Sequence, residues 1–314
     1  MLFLRVTILI KEFMKHLLFI AFLMQLSTIA ISQRVYDEIG EEGIYYKDWV
    51  RVEADGKYGF IHDGYEILAP TYSNILPFDE TRTGWAMVKL DGLYGFIDAT
   101  CNEVVTPKYD SIYSYDVIHK NWAMVELDGK FGFITKYGEE IITPKYSKVF
   151  TFGTIKEDWA LVMNDGLYGA IDSTGIEVID PQYDEIDAFG IIKNNWALIK
   201  KDEKIGFIPY TGVEIIAPKY DKVYKFNEHH KGWALVQLNG LFGFIDEKGN
   251  EVIEPKYTRI GEFGQFQDDW AIIEENGKLG FISFDGEVVV KPRFKRIIKK
   301  DGIKGLSGDR WVSL

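Results

Sequence analysis

Chemistry needs nucleophiles, titratable groups or metal ligands brought together, and this chain offers few. Its histidines are His16, His62, His119, His229 and His230. The adjacent pair His229-His230 is the one hint of a transition-metal site, because imidazole nitrogen is a common ligand for such ions. Neighbouring residues of an extended chain point to opposite sides, and no cysteine or third histidine lies close by in sequence. The pair therefore reads as part of a solvated loop, and no metal site is expected. Asp98, Asp172 and Asp246, followed by Glu103, Glu177 and Glu251, supply hard oxygens of the kind calcium takes. Thr135, Pro209 and Ser283 hold the aspartate's place in the intervening copies, so these aspartates are expected to accept hydrogen bonds within their own turns.

Cys101 has no partner for an internal disulfide and stands where other copies carry Gly138, Gly175 and Gly249, which reads as a tolerated turn substitution. No Ser/His/Asp set, phosphate-cradling glycine loop or isolated carboxylate pair interrupts the pattern. The one irregular stretch, residues 299–310, is rich in lysine and glycine. No catalytic residue and no cofactor is expected, and a hydrolase is the least supported reading.

The remaining candidates are aromatic. Trp49, Trp85, Trp122, Trp159, Trp196, Trp233 and Trp270 recur at a spacing of 36 once and 37 five times, so one supersecondary element is written seven times. Exposed indoles in a row would stack on sugars, whereas a ring repeated in every copy is more simply explained by packing against the next copy. The elements that position these rings are short strands. Two-residue turns at Asp55-Gly56, Asp91-Gly92, Asp128-Gly129, Asp165-Gly166, Asn239-Gly240 and Asn276-Gly277 mark hairpins, because a type I′ turn needs positive φ at both centres. Asp202-Glu203 departs from the rule, and the fifth hairpin is expected to have the most strained or most altered turn.

Each return strand carries a glycine, seen at Gly95, Gly132, Gly169 and Gly243. Glycine inside a strand implies a close approach, and the expected neighbour is the tryptophan ring. A Pro-x-Tyr step follows, as at Pro144/Tyr146 and Pro218/Tyr220. Proline donates no hydrogen bond, so the step must lie at a strand edge or bend. Six residues after the tyrosine comes Phe78, Tyr115, Phe152, Phe189, Phe226 or Phe263. Tyr36–Ile39 matches the last segment of a repeat and Trp311–Leu314 the first, which suggests surplus pieces used as caps.

With 46% apolar and 15% aromatic residues the chain can fill a core. Its net charge is −12, and removal of Arg5, Lys11 and Lys15 together with Glu12 makes the remainder more acidic still. Such a surface repels phosphate backbones, so nucleic acid is excluded as a partner. Lys15-His16 followed by the apolar run Leu17–Leu26 and then Ala30-Ile31-Ser32 reads as a signal peptide over residues 1–32. The mature array then covers 33–314. The protein is expected to be exported to the periplasm, cell surface or medium, with a membrane as partner only if the leader is retained.

The pattern Trp-Ala-Leu-Val, Asp-Gly-x-Tyr-Gly-Phe-Ile-Asp, Gly-x-Glu-Val-Ile and Pro-Lys-Tyr-Asp resembles the bacterial WG, or KWG, repeat, most clearly over Trp159–Asp172 and Trp233–Asp246. The resemblance implies a binding protein and brings no catalytic residues with it. The fold expected is an all-β tandem array of antiparallel hairpin repeats in an open superhelical stack, with a closed seven-bladed β-propeller as the alternative. Variation concentrates in the linkers before each tryptophan, where Asp79, Arg82, His119, Lys120, His229 and His230 are candidates for contact with a protein partner or cell-envelope component. A glycan or cell-wall module using exposed aromatics is the alternative function.

Overall fold

The computed structural model describes residues 34–314; the leader expected over 1–32 lies outside the described residues. The described chain forms seven four-stranded antiparallel sheets and a final three-stranded one, and no sheet closes into a barrel. Among the described residues there is no helix, so none is long and apolar enough to cross a membrane.

Every sheet is a meander. In the fourth, Lys148–Lys156, Trp159–Asn164, Leu167–Asp172 and Glu177–Tyr183 lie side by side in chain order. Its central hairpin pairs Trp159 with Asp172 at one end and Asn164 with Leu167 at the turn. The turn residues Asp165 and Gly166 have φ of 50° and 85°, the left-handed values a type I′ turn requires. Asp202 and Glu203 adopt the same geometry, at 51° and 61°. Glu203 thus occupies a conformation that costs a residue with a Cβ about 1–2 kcal/mol. Because glycine also loses more freedom on folding, Glu203→Gly is expected to stabilise the protein by about 0.5–1 kcal/mol. Chemical denaturation of the two proteins side by side measures the difference.

The strand glycines answer to backbone rather than to tryptophan. A Cβ on Gly169 would lie 2.4 Å from the Ile179 carbonyl oxygen and 2.6 Å from the Pro181 nitrogen, and on Gly95, Gly132 and Gly243 it would meet the equivalent oxygens at 2.3 Å. The cause is a bulge. Tyr168 pairs with Tyr183 and Ala170 with Ile179, so residues 180–182 all oppose Gly169. The excess chain presses the Pro-x-Tyr step onto the neighbouring strand, and proline is tolerated there because this strand is an edge of its sheet.

The sheets belong to two compact blocks, the first ending at Pro107 and the second spanning Lys108–Leu314. The boundary falls inside the strand Glu103–Tyr109. Within the first block, Trp49, Phe60 and Tyr72 of the first sheet pack on Ala86, Val88 and Ile97 of the second. Within the second block the pattern repeats: Trp122, Phe133 and Tyr146 meet Ala160, Val162 and Ile171, and Trp196, Phe207 and Tyr220 meet Ala234, Val236 and Ile245. Large side chains on one face thus fill the relief left by small and β-branched ones on the next. A single hairpin is marginal in water, but burying each of these side chains contributes roughly 1.5–3 kcal/mol.

A polar clasp accompanies the apolar joints of the first six sheets. The Tyr72, Tyr109 and Tyr220 hydroxyls donate to Glu103, Glu140 and Glu251 of the following sheet at 2.8–2.9 Å. Tyr183 donates to Glu214 at 2.6 Å. Lys108 and Lys219 reach the same carboxylates, Glu140 and Glu251, at 2.9 and 3.0 Å. Burial, followed by the carboxylate partner, pushes the Tyr109 and Tyr220 phenols well above their ordinary range. Burial alone would raise the Glu140 carboxyl, but the Lys108, Thr143 and Tyr109 donors outweigh it and hold the group below the ordinary value of 4.5. A lowered carboxyl stabilises the fold above its unfolded-state value and loses that contribution as pH falls through the lower folded value; a raised phenol does so below its own and loses it as pH rises. Melting temperature is therefore expected to hold a plateau from about pH 5 to 10 and fall on both sides. A flat profile at either edge would show the clasps to be energetically silent.

Both chain ends are in phase with the sheets. The segment beginning near Tyr36 is no surplus piece: Glu38–Glu42 is the first strand of the first sheet and pairs with Val50–Ala54. At the other end Ile303–Ser307 takes the place of the tryptophan strand, and Trp311 lies on the return strand Arg310–Ser313, 44% exposed. The eighth sheet has three strands.

Candidate functional site

The loops that precede the tryptophans share one construction. The residue six positions before each tryptophan donates its N–H to that tryptophan's carbonyl, as Gly43 does to Trp49, Asp79 to Trp85, Asp116 to Trp122 and Gly190 to Trp196. The tryptophan N–H in turn donates to the residue three positions earlier, as Trp85 does to Arg82 and Trp233 to His230. The first position has positive φ in every loop and is filled by Gly43, Asp79, Asp116, Gly153, Gly190, Asn227 or Gly264, the residue types for which that conformation is least costly. Where it is Asp or Asn, the side chain accepts the N–H of the residue before the tryptophan, Gly84, Asn121 or Gly232. Asp79 therefore closes its own loop, although its side chain is exposed.

In six of the loops the residue three positions before the tryptophan packs on the indole. The Arg82 guanidinium sits 4.8 Å from the Trp85 ring centre, and the Lys156 and Lys193 ammonium groups 4.8 and 4.6 Å from Trp159 and Trp196. His119 and His230 place their rings 4.5 and 4.1 Å from Trp122 and Trp233, and Tyr46 packs at 4.9 Å on Trp49. Cation–π and edge contacts of this kind are worth about 0.5–1.5 kcal/mol each. Three of the six linker candidates, Arg82, His119 and His230, thus act as covers for tryptophan. The covers were hidden in sequence because Tyr, Arg, His and Lys share no single chemistry; their constant offset from the tryptophan was the signal.

Four of the indoles are also closed by the phenylalanine of the next sheet. Phe78, Phe152, Phe189 and Phe226 meet Trp49, Trp122, Trp159 and Trp196 edge-on at 5.5–5.9 Å. Four of the seven tryptophans are buried and Trp85, Trp233 and Trp270 are half-buried. The four buried indoles, Trp49, Trp122, Trp159 and Trp196, offer no open face for a sugar ring. The turn aspartates are likewise used locally: Asp98 and Asp172 accept from Thr100 and Thr174 and from the N–H groups of Asn102 and Ile176, at 2.6–3.1 Å.

What the loops present to solvent varies from repeat to repeat. Ile44, Val117 and Ile191, each five residues before a tryptophan, are 56, 67 and 48% exposed. Glu80, Thr154, Glu228 and Gln265 hold that position elsewhere and are also exposed. Lys120 is exposed, while His229 is half-buried with its ring 6.0 Å from Tyr224. Clefts separate consecutive loops: one of about 470 Å³ is lined by Ile44, Tyr46, Phe78 and Asp79, and an equivalent one of about 360 Å³ by Ile192, Lys193, Phe226 and Asn227. The same cleft recurs because the same two loops flank it.

The family described as WG containing repeat matches five consecutive stretches, residues 94–131, 131–168, 168–204, 205–242 and 242–278. None of the curated proteins matches the chain. Among solved structures, PorZ of Porphyromonas gingivalis, described as a bacterial surface component of the type-IX secretion system, is 12% identical with a TM-score of 0.23; the match covers 88% of this chain and 44% of that one. BamB from Moraxella catarrhalis is 11% identical over 87% of this chain and 94% of that one, with a TM-score of 0.22. AztD from Citrobacter koseri is 12% identical over 82% and 85%, with a TM-score of 0.23.

Proposed function

The chain belongs to the WG repeat family, and from that premise we propose that it is an exported, non-enzymatic scaffold whose loops before the tryptophans bind a protein partner at the cell envelope. The observation that carries this reading is the division of labour within each loop. Backbone closure, ring cover and edge-on phenylalanine recur, while the exposed position five before the tryptophan runs through Ile44, Glu80, Val117, Thr154, Ile191, Glu228 and Gln265. A constant frame with varied exposed positions is how repeat proteins carry a recognition surface. Ile44 lies exposed at the edge of one such cleft, where a partner side chain can seat against it. A sugar-stacking module would need open aromatic faces, and the burial of Trp49, Trp122, Trp159 and Trp196 favours the protein-binding reading over it.

A photo-crosslinking residue placed at Val117 or Ile191, compared with one at the hairpin tip Asp165, tests the proposal in the envelope fraction. One defined protein adduct at the loop positions and none at the tip is the expected result. Equal labelling of loops and tip, or adducts to glycan alone, would overturn it.

A further inference from the structure

The first repeat is one residue shorter than the others, and the loss falls between Ile61 and Glu66. The shortened turn is His62-Asp63-Gly64-Tyr65, with His62 paired to Tyr65 and with Asp63 and Gly64 at φ of 52° and 79°. This sets Asp63 beside His62 and both near Asp48, the residue before Trp49 at the entry to the adjoining strand Val50–Ala54. His62 Nε2 lies 3.0 Å from Asp48 Oδ2 and 3.8 Å from Asp63 Oδ2, and one ligand atom from each of the three lies within 4.8 Å of the others. In the other repeats the place of His62 is taken by Asp98, Thr135, Asp172, Pro209, Asp246 or Ser283. The one change in repeat length therefore coincides with the one imidazole at this position.

We propose that Asp48, His62 and Asp63 form a binding site for a divalent first-row transition ion, zinc foremost. Metal–ligand bonds of about 2.0–2.2 Å place neighbouring donor atoms about 3.0–3.5 Å apart, and the observed separations reach that range by small rotations of side chains open to solvent. The imidazole nitrogen selects against calcium and magnesium, which prefer sets made of oxygen alone. Two carboxylates facing one imidazole supply the negative charge that a dication neutralises. Three protein ligands leave the remaining positions to water. The bound ion would tie the entry to the tryptophan strand, at Asp48, to the turn that follows the return strand. The site is independent of the partner-binding loops and stands or falls without them.

The test is a zinc titration of the full chain, free of any added histidine tag, by calorimetry. Nickel titration followed by tryptophan fluorescence gives a second readout, because the Trp49 ring lies 6.4 Å from the His62 ring. One equivalent of zinc is expected to bind and to raise the melting temperature. His62→Asn and Asp63→Asn should each weaken binding at least ten-fold with metal-free melting unchanged, since asparagine keeps the left-handed turn residue at 63 acceptable. His229→Gln should bind as the parent does. The proposal is overturned if the parent takes up no zinc at millimolar concentration, if calcium binds as tightly as zinc, if His62→Asn and Asp63→Asn bind as the parent does, or if His229→Gln abolishes uptake.

Discussion

Gly243→Ala is expected to destabilise the protein by about 3 kcal/mol or more, at the upper end of what overpacking a core costs. The added methyl would sit 2.3 Å from the Ile253 carbonyl oxygen and 2.6 Å from the Pro255 nitrogen. Both are backbone atoms held by the bulge between Phe242↔Tyr257 and Phe244↔Ile253, so no side chain can swing aside. Relief requires the outer strand to move, and that strand carries Tyr257, whose buried ring packs with Ala271 and Ile273 of the next sheet. The comparison that isolates the effect is Gly240→Ala, where a Cβ meets nothing within 4 Å and only the φ of 79° is unfavourable; that change should cost about 1–2 kcal/mol. Urea denaturation of the two variants decides the matter. Equal losses would mean that the strand glycine is kept for its flexibility and not for the approach of the bulge.

Trp196→Ala is expected to cost about 3–5 kcal/mol, the range for removing a buried aromatic and leaving a cavity. Its indole is held between Phe207 of its own sheet at 5.1 Å, Phe226 of the next at 5.5 Å, and the Lys193 cover at 4.6 Å. Lys193→Ala removes only the cover and should cost about 1 kcal/mol or less. The two also differ in kind. Contacts pass mainly between neighbouring sheets, so loss of one joint weakens the coupling between the sheets before and after it. The tryptophan variant should unfold over a broader transition, with different midpoints by fluorescence and by far-ultraviolet circular dichroism, whereas the lysine variant should keep a single midpoint. A single sharp transition for Trp196→Ala would mean that stability is shared more widely than contact between neighbours implies.

Hairpins were legible from sequence because their signal is local: Asp165-Gly166 and Asn276-Gly277 name their own turn, and even the exception at Asp202-Glu203 keeps the geometry it disturbs. The tryptophan period and the proline edge were legible for the same reason. The partner of the strand glycine was not. That required knowing that residues 180–182 bulge toward Gly169, a property of pairing that neither strand shows alone. Arg82, His119 and His230 were read as contact residues because they differ from repeat to repeat. Any flat or long side chain can cover an indole, so a loose packing requirement accounts for variation at that place. The Tyr–Glu clasps are separated by a constant 31 residues, as in Tyr72/Glu103 and Tyr220/Glu251, a spacing invisible until the two are seen to meet. The His62 cluster draws on Asp48, 14 residues away across a hairpin, and escaped for the same reason.

That constant clasp makes the repeats interchangeable parts. Excising residues 148–184 in frame would remove one period and bring Tyr146, now beside Glu177, to Glu214 instead, with the strand order at the new joint unchanged. Nothing in the clasp records which copy supplies the tyrosine and which the glutamate. The number of copies is therefore a quantity that unequal recombination can raise or lower one step at a time while the clasp at the new joint is kept.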